Sequence, residues 1–295
     1  MNHTTLLIFK LVAETQSVTQ AAKQLGRAQS NITTRIQQLE EELEAELFVR
    51  GNKKMLLSPA GQNFLSYARR ILSLAEEAKL ALHPARPTGT LKLGAMEACA
   101  ASRLPAILPL FQQRCPDADL TLRAMPTRQL TELVENSTLD CALVSLPAGP
   151  DGSLQCPQTL EYLPLFIEQL VLIAPVEGRN YRFAAFPTGC SYRQHGIEYL
   201  QQTGAHVDIV DVSSYHAMMA NVATGRYACL LPESVLALLT LPAGCQTQYV
   251  TQAATQLIWR RGYVSPILDA LRQLLLAPAA GNQPGGSQQH AAGRQ

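Results

Sequence analysis

The sequence predicts an α/β protein with a small helical N-terminal part, a long connecting helix and a larger α/β part. Apolar residues recur at helical spacing through residues 1–82, and a segment with two prolines and a glycine interrupts this pattern at 83–89. Beyond that segment, strand-like and helix-like stretches alternate to about residue 276. Alternation of this kind favours a largely parallel sheet covered by helices.

The N-terminal part is predicted to hold three helices followed by a hairpin. Ser17 is a suitable N-cap for the second helix, over residues 18–25, and Gly26 ends it because glycine accepts a positive φ. A polar turn between two short apolar runs predicts the hairpin within residues 47–58. The apolar positions that define the first and third helices are Leu6, Phe9, Val12, Ile32, Ile36 and Leu39.

A helix that ends in small residues, a glycine turn and a second amphipathic helix are together typical of a helix-turn-helix. Short polar side chains lie opposite the apolar face of the third helix, and a recognition helix presents such side chains to base edges in the major groove. These residues are Ser30, Thr33, Thr34 and Gln37, with Asn31 and Arg35 on the flank. The alternative is that they form the solvated face of a small helical domain.

A long helix is predicted from Pro59 to about residue 82, because proline fits the first turn of a helix. Its apolar positions step by four and three residues, as the a and d positions of a coiled coil do. These positions are Phe64, Ala68, Ile71, Ala75, Ala78 and Leu82. We expect this stripe to form a dimer seam; the alternative is that it packs on its own domain.

The larger part, residues 90–276, is predicted to alternate strands and helices. The predicted strands are Leu91–Gly94, Leu120–Arg123, Leu139–Val144, Leu170–Ile173, Phe183–Phe186, Val207–Val212, Ala228–Leu231 and Leu257–Trp259. The predicted helices span residues 101–114, 127–136, 191–203, 214–224 and 265–276. Residues 277–295 are rich in Gly, Gln, Ala and Pro, and we expect this tail to be disordered.

Composition and charge exclude several classes of protein. With 47% apolar and 16% charged residues, the chain is not globally disordered, and no apolar run is long enough to span a membrane. The N-terminus lacks a basic segment ahead of a long apolar one, so we expect a cytoplasmic protein without a membrane partner. Residues 1–87 carry 11 Lys and Arg against 8 Asp and Glu, while residues 88–295 carry 13 against 15. This asymmetry favours an anionic partner for the N-terminal part.

No catalytic or metal-binding constellation is visible in the sequence. It contains no G-x-S-x-G, P-loop, Rossmann or H-E-x-x-H motif, and its acids and histidines are scattered. The seven cysteines are odd in number and widely spaced, which favours reduced thiols over disulfides or a zinc site. We therefore expect neither an enzyme nor a protein with a cofactor or metal. A solute-binding protein would need an export signal and would have no DNA-binding head, so we do not expect this class of protein either.

The order of these parts resembles a LysR-type transcriptional regulator over essentially the whole chain. The residues that carry the resemblance are Phe9, Val12, Ser17, Ala21, Ala22, Leu25, Ser30, Leu39, Glu40, Leu43, Leu47, Phe48, Arg50, Ser58 and Gly61. The resemblance implies a winged helix-turn-helix over residues 1–58, a linker and dimerisation helix with its hinge over 59–89, and a two-lobed effector domain over 90–276 that is similar to periplasmic binding proteins. It further implies a homodimer or homotetramer that binds an interrupted palindrome in double-stranded promoter DNA, senses a small-molecule effector and contacts RNA polymerase.

The resemblance assigns DNA contacts to the third helix and to the wing, residues 47–58. The expected contacts are Gln29, Ser30, Thr33, Thr34, Arg35, Gln37, Arg50, Lys53 and Lys54, of which the last three would contact phosphate or the minor groove. Ala28 stands where the family usually has a capping serine. Thr34 follows Thr33 where the family commonly has arginine, and arginine comes one residue later as Arg35. We therefore expect a base preference that differs from that of the family at large.

For the effector domain, the resemblance implies a cleft where three loops meet ahead of helix N-termini. The expected effector contacts are Glu97, Cys99, Ser102, Thr188, Cys190, Ser191, Ser213, Ser214 and His216. Ser191 and Ser214 would serve equally well as N-caps. Cys190 at a helix N-terminus, where the pKa of a thiol falls, would suit a thiol-based redox sensor as an alternative. His195 and His216 are expected on helix surfaces or the cleft wall rather than on a metal.

Within the family, four segments look most like the putrescine-utilisation regulator subgroup. They are residues 31–36 (NITTRI), 190–193 (CSYR), 214–216 (SYH) and 259–262 (WRRG). The sequence leaves open the effector, the target genes and the choice between activation and repression.

Overall fold

The computed structural model describes residues 1–51, 54–82, 87–149, 151–176, 181–204 and 207–277. The N-terminal unit, which we call the head, consists of α1 (His3–Thr15), α2 (Val18–Leu25), α3 (Gln29–Glu42), β1 (Phe48–Gly51) and β2 (Lys54–Leu57). A helix of 23 residues, α4 (Pro59–Ala81), follows the head. The three predicted helices, the hairpin and the long helix are all confirmed.

One apolar cluster holds the head together and joins its helices to the hairpin and to the start of α4. The ring of Phe9 packs against those of Phe48 and Phe64, with centroid distances of 5.4 and 5.1 Å. Ser17 caps α2 by accepting a hydrogen bond from a first-turn N–H, and Gly26 ends it with a φ of +61°. Both features agree with the predicted turn, which fixes the direction in which α3 leaves α2.

Helix α4 presents different side chains to the head and to the outside. Ala68 and Leu72 are buried in the head cluster, and Phe64 packs against it. The prediction that the heptad stripe forms a dimer seam is therefore wrong for its first two residues, because Phe64 and Ala68 pack against the head of their own chain. The exposed residues Tyr67, Ile71, Leu74 and Ala78, together with Leu82 directly after the helix, form what we call the open face of α4.

The larger part alternates strands and helices, as predicted. Its strands are β3 (Gly89–Ala95), β4 (Ala118–Ala124), β5 (Cys141–Val144), β6 (Leu160–Pro175), β7 (Arg182–Ala185), β8 (Ile209–Asp211), β9 (Tyr227–Pro232) and β10 (Cys245–Arg260). Its helices are α5 (Glu97–Ser102), α6 (Leu104–Arg114), α7 (Thr127–Glu135), α8 (Ser191–Gln202), α9 (Tyr215–Val222), α10 (Glu233–Leu236) and α11 (Pro266–Leu276). The helix predicted over residues 101–114 is in fact two helices, α5 and α6, which meet at Arg103. The single turn α10 was not predicted.

The strands follow one another in the order β4-β3-β5-β10-β6-β9-β7-β8. Strand β3 pairs in parallel with β4 and β5, and β7 pairs in parallel with β8 and β9. Between these two groups, β6 and β10 pair antiparallel with each other and with their outer neighbours β9 and β5. The prediction of a largely parallel sheet is therefore wrong for its centre.

Strands β6 and β10 are also far longer than the predicted Leu170–Ile173 and Leu257–Trp259, since each has 16 residues. Only one part of each strand, residues 170–175 and 255–259, is continuously buried. That part carries the apolar run on which the prediction rested, whereas the rest is largely exposed and gives no strand signal. The long antiparallel pair was missed for this reason.

These two strands divide the larger part into two lobes. Lobe 1 contains β3, β4 and β5, and the C-terminal end of β10 pairs with β5. Lobe 2 contains β7, β8 and β9, and the C-terminal half of β6 pairs with β9. Helix α7 packs on lobe 1, and α8 and α9 pack on lobe 2. The two-lobed α/β architecture implied by the resemblance is confirmed.

In the part of the chain that the structure describes, no helix combines the length and apolar character needed to cross a bilayer. The predicted tail, apart from Ala277, and residues 83–86 of the predicted hinge lie outside the described residues.

Candidate functional site

Helix α3 separates an apolar face from a polar one. Ile32, Ile36 and Leu39 are at most 2% exposed and fill the head cluster. The predicted DNA contacts on this helix are accessible: Gln29, Ser30, Thr34, Arg35 and Gln37 are exposed, and Thr33 is half-buried. The helix therefore presents a row of hydrogen-bonding side chains from a scaffold that its own core holds in place.

The hydroxyl of Thr33 donates a hydrogen bond of 3.1 Å to the carbonyl oxygen of Gln29. Because a threonine hydroxyl has a single proton, only its lone pairs and the methyl group remain available to a ligand. These groups fit the amino groups of adenine and cytosine and the methyl group of thymine. Ala28 caps α3 without a side-chain hydrogen bond, which leaves first-turn N–H groups that suit a phosphate oxygen.

The hairpin of β1 and β2 stands beside α3 as the predicted wing. Its second strand is tied to the end of α1, where Met55 N donates to the carbonyl oxygen of Gln16 over 3.0 Å. Lys54 is exposed at the start of that strand. Lys53 and the side chain of Arg50 lie outside the described residues, so Lys54 gives the position of a positive charge on the wing.

Glu40 has a role that sequence reasoning missed. Its Oε1 atom accepts hydrogen bonds of 2.8 and 3.0 Å from the backbone N–H groups of Leu47 and Phe48. The carboxylate thereby joins α3 to the first residues of the hairpin and sets the wing relative to the polar face. In the sequence, Glu40 is the first member of an acidic run, which gives no sign of this bond.

The cleft between the lobes contains a cavity of about 260 Å³, called the small cavity. Segments that follow the C-terminal ends of β3, β4, β7 and β8 line it, as expected for ligand sites in α/β folds. The lining is mainly apolar, and Phe186 and Tyr215 form an edge-to-face pair in it with centroids 5.0 Å apart. Among the described lining residues, Glu97 is the single charged one.

A second cavity, of about 810 Å³ and called the large cavity, shares Thr127 and Cys190 with the small one. Hydrogen bonds cross from lobe to lobe beside these shared residues. Ser191 Oγ donates to the carbonyl oxygen of Ser145 over 2.6 Å and lies 3.1 Å from Thr127 Oγ1, which accepts from Ser145 N over 3.3 Å. Ser191, Ser145 and Thr127 together are called the interlobe bridge. It holds lobe 2 against lobe 1 between the two cavities.

The structure brings some of the predicted effector contacts together and not others. Those that line the cavities are Glu97 and Ser213 in the small one, Thr188 and Ser191 in the large one, and Cys190 in both. The remaining four, Cys99, Ser102, Ser214 and His216, line neither cavity. They have local positions instead: Cys99 is 1% exposed, the Ser102 hydroxyl donates to Ala98 O over 2.7 Å, Ser214 caps α9, and His216 is exposed.

The aromatic lining of the small cavity was not predicted. Phe186, Tyr192 and Tyr215 come from three different segments, and only their packing in three dimensions brings them together. The segments 190–193 and 214–216, singled out in the sequence, carry the two tyrosines. Their polar neighbours were taken as the ligand contacts, whereas the tyrosines, which also line the small cavity, were not.

The thiols of Cys190 and Cys99 do not have the lowered pKa that a redox sensor needs. Burial raises the pKa of Cys190, the opposite of the lowering predicted from its place at a helix N-terminus. Burial also raises the pKa of Cys99 to about 12. Both groups are therefore protonated at neutral pH, and the thiol form is a poor nucleophile. Burial lowers the pKa of His195, and within the described residues no three His, Cys, Asp or Glu side chains form a metal-binding group.

Two family profiles match the chain. Residues 3–62 match the bacterial regulatory helix-turn-helix protein of the lysR family, and residues 84–280 match the LysR substrate binding domain. These ranges cover the head with the start of α4, and the larger part that contains both cavities.

Individual proteins support the same relationship. The HTH-type transcriptional regulators YofA and GltR of Bacillus subtilis are 34% and 33% identical to this chain, over 78% and 80% of it and 81% of each relative. Full-length OxyR of Pseudomonas aeruginosa has a TM-score of 0.73 at 18% identity and covers 95% of this chain and 96% of its own. CbnR in complex with its target DNA has a TM-score of 0.62 at 23% identity, with 93% and 99% coverage. These structures share the fold from end to end.

Proposed function

Because the chain belongs to the LysR family, we propose that residues 1–58 bind DNA, that residues 59–89 pair two copies of the chain and that residues 90–276 bind the effector. At the level of the family, the protein is a LysR-type DNA-binding transcriptional regulator with an effector-binding domain, and its relatives are regulators rather than enzymes. Residues 277–295 are assigned no role. Its place of action is the cytoplasm, where a bacterial regulator meets DNA.

The observation that carries the proposal is the exposed polar face of α3, whose opposite, apolar face is buried in the core of the head. We place α3 in the major groove, with Ser30, Thr34 and Gln37 facing base edges and Thr33 accepting from a donor base. Gln29 and Arg35 reach the groove margins. Arg50, Lys53 and Lys54 of the wing contact phosphate, which fixes the register of the helix on the duplex.

The regulator is proposed to act as a homodimer or a homotetramer on an interrupted palindrome. The open face of α4 supports this, because Tyr67, Ile71 and Leu74 are 42–65% exposed and follow one another at the steps of four and three residues that a coiled coil uses. A second copy of α4 would cover them. Two heads on one helix pair would bind two half-sites, and contact with RNA polymerase would follow when the regulator activates.

The small cavity is proposed to bind the effector. Its described lining offers one carboxylate, at Glu97, and no Lys, Arg or His side chain. An anionic ligand would find no opposite charge there, whereas an ammonium group would pair with Glu97 and pack against aromatic faces. This chemistry is consistent with the putrescine-utilisation subgroup suggested by the four sequence segments, and putrescine is therefore the first compound to test.

The experiment uses the full-length protein. Repeated selection from a pool of random duplexes should enrich one interrupted palindrome, and a variant that carries Ser30→Ala, Thr33→Ala, Thr34→Ala and Gln37→Ala should enrich no sequence while it still binds random duplex. Enrichment of the same palindrome by this variant would contradict the assignment of α3. Putrescine should raise the melting temperature of the wild-type protein but not that of Glu97→Gln. An equal rise in both proteins would contradict the assignment of the cavity.

A further inference from the structure

The segment Trp259-Arg260-Arg261-Gly262 has no part in the DNA surface or in either cavity, although its sequence stands out. It lies at the C-terminal end of β10, the strand that runs from lobe 2 to lobe 1. Trp259 Nε1 donates to Glu161 Oε2 over 3.0 Å, which keeps this residue within the sheet. Arg260 points elsewhere, since its guanidinium contacts α4.

The contacts of Arg260 form a compact polar cluster between the linker helix and lobe 1. Its Nη2 atom donates to Ser73 Oγ and to Glu77 Oε1, both over 2.9 Å. Its Nη1 atom donates to the carbonyl oxygen of Leu139 in lobe 1 over 3.3 Å. The hydroxyl of Ser73 donates in turn to Glu77 Oε1 over 3.0 Å, and the ring of Tyr263 lies under the guanidinium at 4.7 Å.

This ion pair is unlike the pairs on the open surface of the protein. The side chains of Arg260 and Glu77 are 14% and 16% exposed, compared with 49% and 54% for Arg182 and Asp208 in lobe 2. Exposed pairs contribute little because solvent screens them, whereas a shielded pair with several hydrogen bonds resists separation. A guanidinium suits the position because its planar fork serves several acceptors at once.

The cluster occupies a face of α4 that the other contacts leave free. Ala68 and Leu72 of α4 lie in the head cluster, and Ile71 and Leu74 belong to the open face. Ser73 and Glu77 are one helical turn apart and point to lobe 1. A single helix thus contacts the head, lobe 1 and, in the proposed dimer, its partner with three separate faces.

The same strand reaches the interlobe cleft. Gln256, four residues before Arg260 on β10, accepts a hydrogen bond of 2.9 Å at its side-chain oxygen from Leu146 N. Leu146 follows Ser145 of the interlobe bridge and lines the large cavity. The path from the cleft to α4 therefore consists of one hydrogen bond, a short stretch of β10 and the Arg260 cluster.

We propose that Arg260, Glu77 and Ser73 form a clamp that makes α4 and lobe 1 move as one body. Arg260 is then a positioning residue. It touches neither DNA nor effector, and it fixes the orientation of α4, and with it the head, relative to lobe 1 of the effector domain. The regulatory meaning of the clamp rests on the proposed function, because a ligand that shifts lobe 2 would move it against a unit of lobe 1, α4 and head. The clamp itself is a property of the ligand-free chain.

The test is amide hydrogen exchange of the full-length, ligand-free protein, followed by mass spectrometry. In Arg260→Gln, exchange of residues 73–79 should become about tenfold faster or more, while peptides of α9 in lobe 2 exchange as in the wild type. Glu77→Gln should produce the same local change from the other side of the cluster. Arg182→Gln, which breaks the exposed pair in lobe 2, is the matched control and should leave residues 73–79 unchanged.

Two further variants separate a clamp from a general loss of stability. The double variant Glu77→Gln with Arg260→Gln should exchange at residues 73–79 no faster than the faster single variant, because both changes remove the same interaction. Arg260→Lys should restore little of the protection, since one ammonium does not reproduce the fork. Unchanged exchange at 73–79 in a folded Arg260→Gln protein, or equal acceleration in α9, would overturn the proposal. Neither outcome depends on DNA or on putrescine, so failure of the clamp is distinct from failure of the proposed function.

Discussion

The polar face of α3 and the cleft of the effector domain differ in how far they are prepared for their ligands. On α3, Thr34 and Gln37 stand exposed on a helix whose other face is locked in a core. In the cleft, Ser191 crosses from lobe 2 to lobe 1 and holds the space between two cavities closed. DNA can therefore meet α3 without rearrangement of the head, whereas a ligand that extends from the small cavity into the large one must displace the interlobe bridge. Base reading rests on fixed side chains, and effector response rests on contacts that a ligand can break.

The largest expected effect is the loss of the dimer, which would separate the two heads and so weaken DNA binding through α3. Ile71→Asp places a carboxylate in the middle of the open face of α4, where Ile71 is 42% exposed in the single chain. In a dimer seam this charge would be buried without a partner in both copies, at a cost of several kcal/mol per ion. We expect a monomer in sedimentation velocity at micromolar concentration. Binding to the full palindrome should fall toward that of a half-site, because the linked second contact is lost.

Gln62→Asp is the control for this change, since it adds the same charge at an exposed position of α4 outside the open face. It should leave the oligomer and the palindrome binding intact. The head should fold in both variants, because its cluster does not include the open face. An Ile71→Asp protein that stays oligomeric and binds the full site normally would show that α4 does not pair through this face.

The next effect tests whether α3 reads bases with fixed side chains. Thr33→Ala should cost roughly 1–3 kcal/mol on the selected palindrome and leave binding to random duplex nearly intact. Thr33→Val sharpens the test, because valine keeps a methyl group but has no lone pairs. Since the Thr33 proton is held by Gln29 O, both variants should lose preference at one base pair that offers a donor. Equal losses on both kinds of DNA, measured by fluorescence anisotropy, would mean that Thr33 only positions the helix.

The two regions also differ in how well the sequence predicts them. The apolar face of α3 follows from Ile32, Ile36 and Leu39, because a helical period is a local property of a few turns. The cleft depends instead on where separate loops end in space. Phe186 and Tyr215 therefore pack together in its wall although neither segment alone indicates that the two rings meet.

The missed features share this physical cause. The antiparallel pairing of β6 and β10 joins distant segments, and the exposed parts of both strands carry no apolar run. The Glu40 carboxylate bonds to backbone N–H groups, which no side-chain pattern reports. Ser214 as an N-cap is confirmed because capping is local. Ser191 as an N-cap is wrong, because Cys190 occupies that position in α8 and the Ser191 hydroxyl links the two lobes instead. Local chemistry predicts elements, and long-range contacts decide what a site contains.

A smaller effect is expected in the cleft, where one substitution tests whether the interlobe bridge holds the two lobes together. Ser191→Ala removes the hydroxyl that joins the lobes, and a neutral hydrogen bond of this kind contributes about 0.5–1.5 kcal/mol. We expect amide exchange at the first turns of α7 and α8 to become roughly two- to tenfold faster in the ligand-free protein. Putrescine should bind this variant at least as tightly as the wild type if closure limits access to the cleft.

Ser214→Ala provides the matched control, because it also removes a serine hydroxyl at a helix start in the same lobe. Its bond is local to α9, where it accepts from Ala217 N over 3.1 Å. Exchange should therefore rise in α9 alone. A Ser191→Ala protein whose α7 exchanges as in the wild type would show that the bridge does not hold the lobes together.

The smallest expected effect concerns the wing, and it distinguishes the phosphate contacts of the wing from the base contacts of α3. Lys54→Ala removes one exposed charge from the hairpin. A lysine that contacts one phosphate accounts for about 0.9 units in the slope of log affinity against log salt, so the variant should show a slope smaller by about 0.9 units for each head bound, on palindrome and random duplex alike. Arg226→Ala removes one exposed charge from lobe 2 and should leave the slope unchanged. Thr33→Ala should change sequence preference and not the slope, and Lys54→Ala should change the slope and not the preference. A Lys54→Ala protein with the wild-type slope would remove Lys54 from the DNA interface.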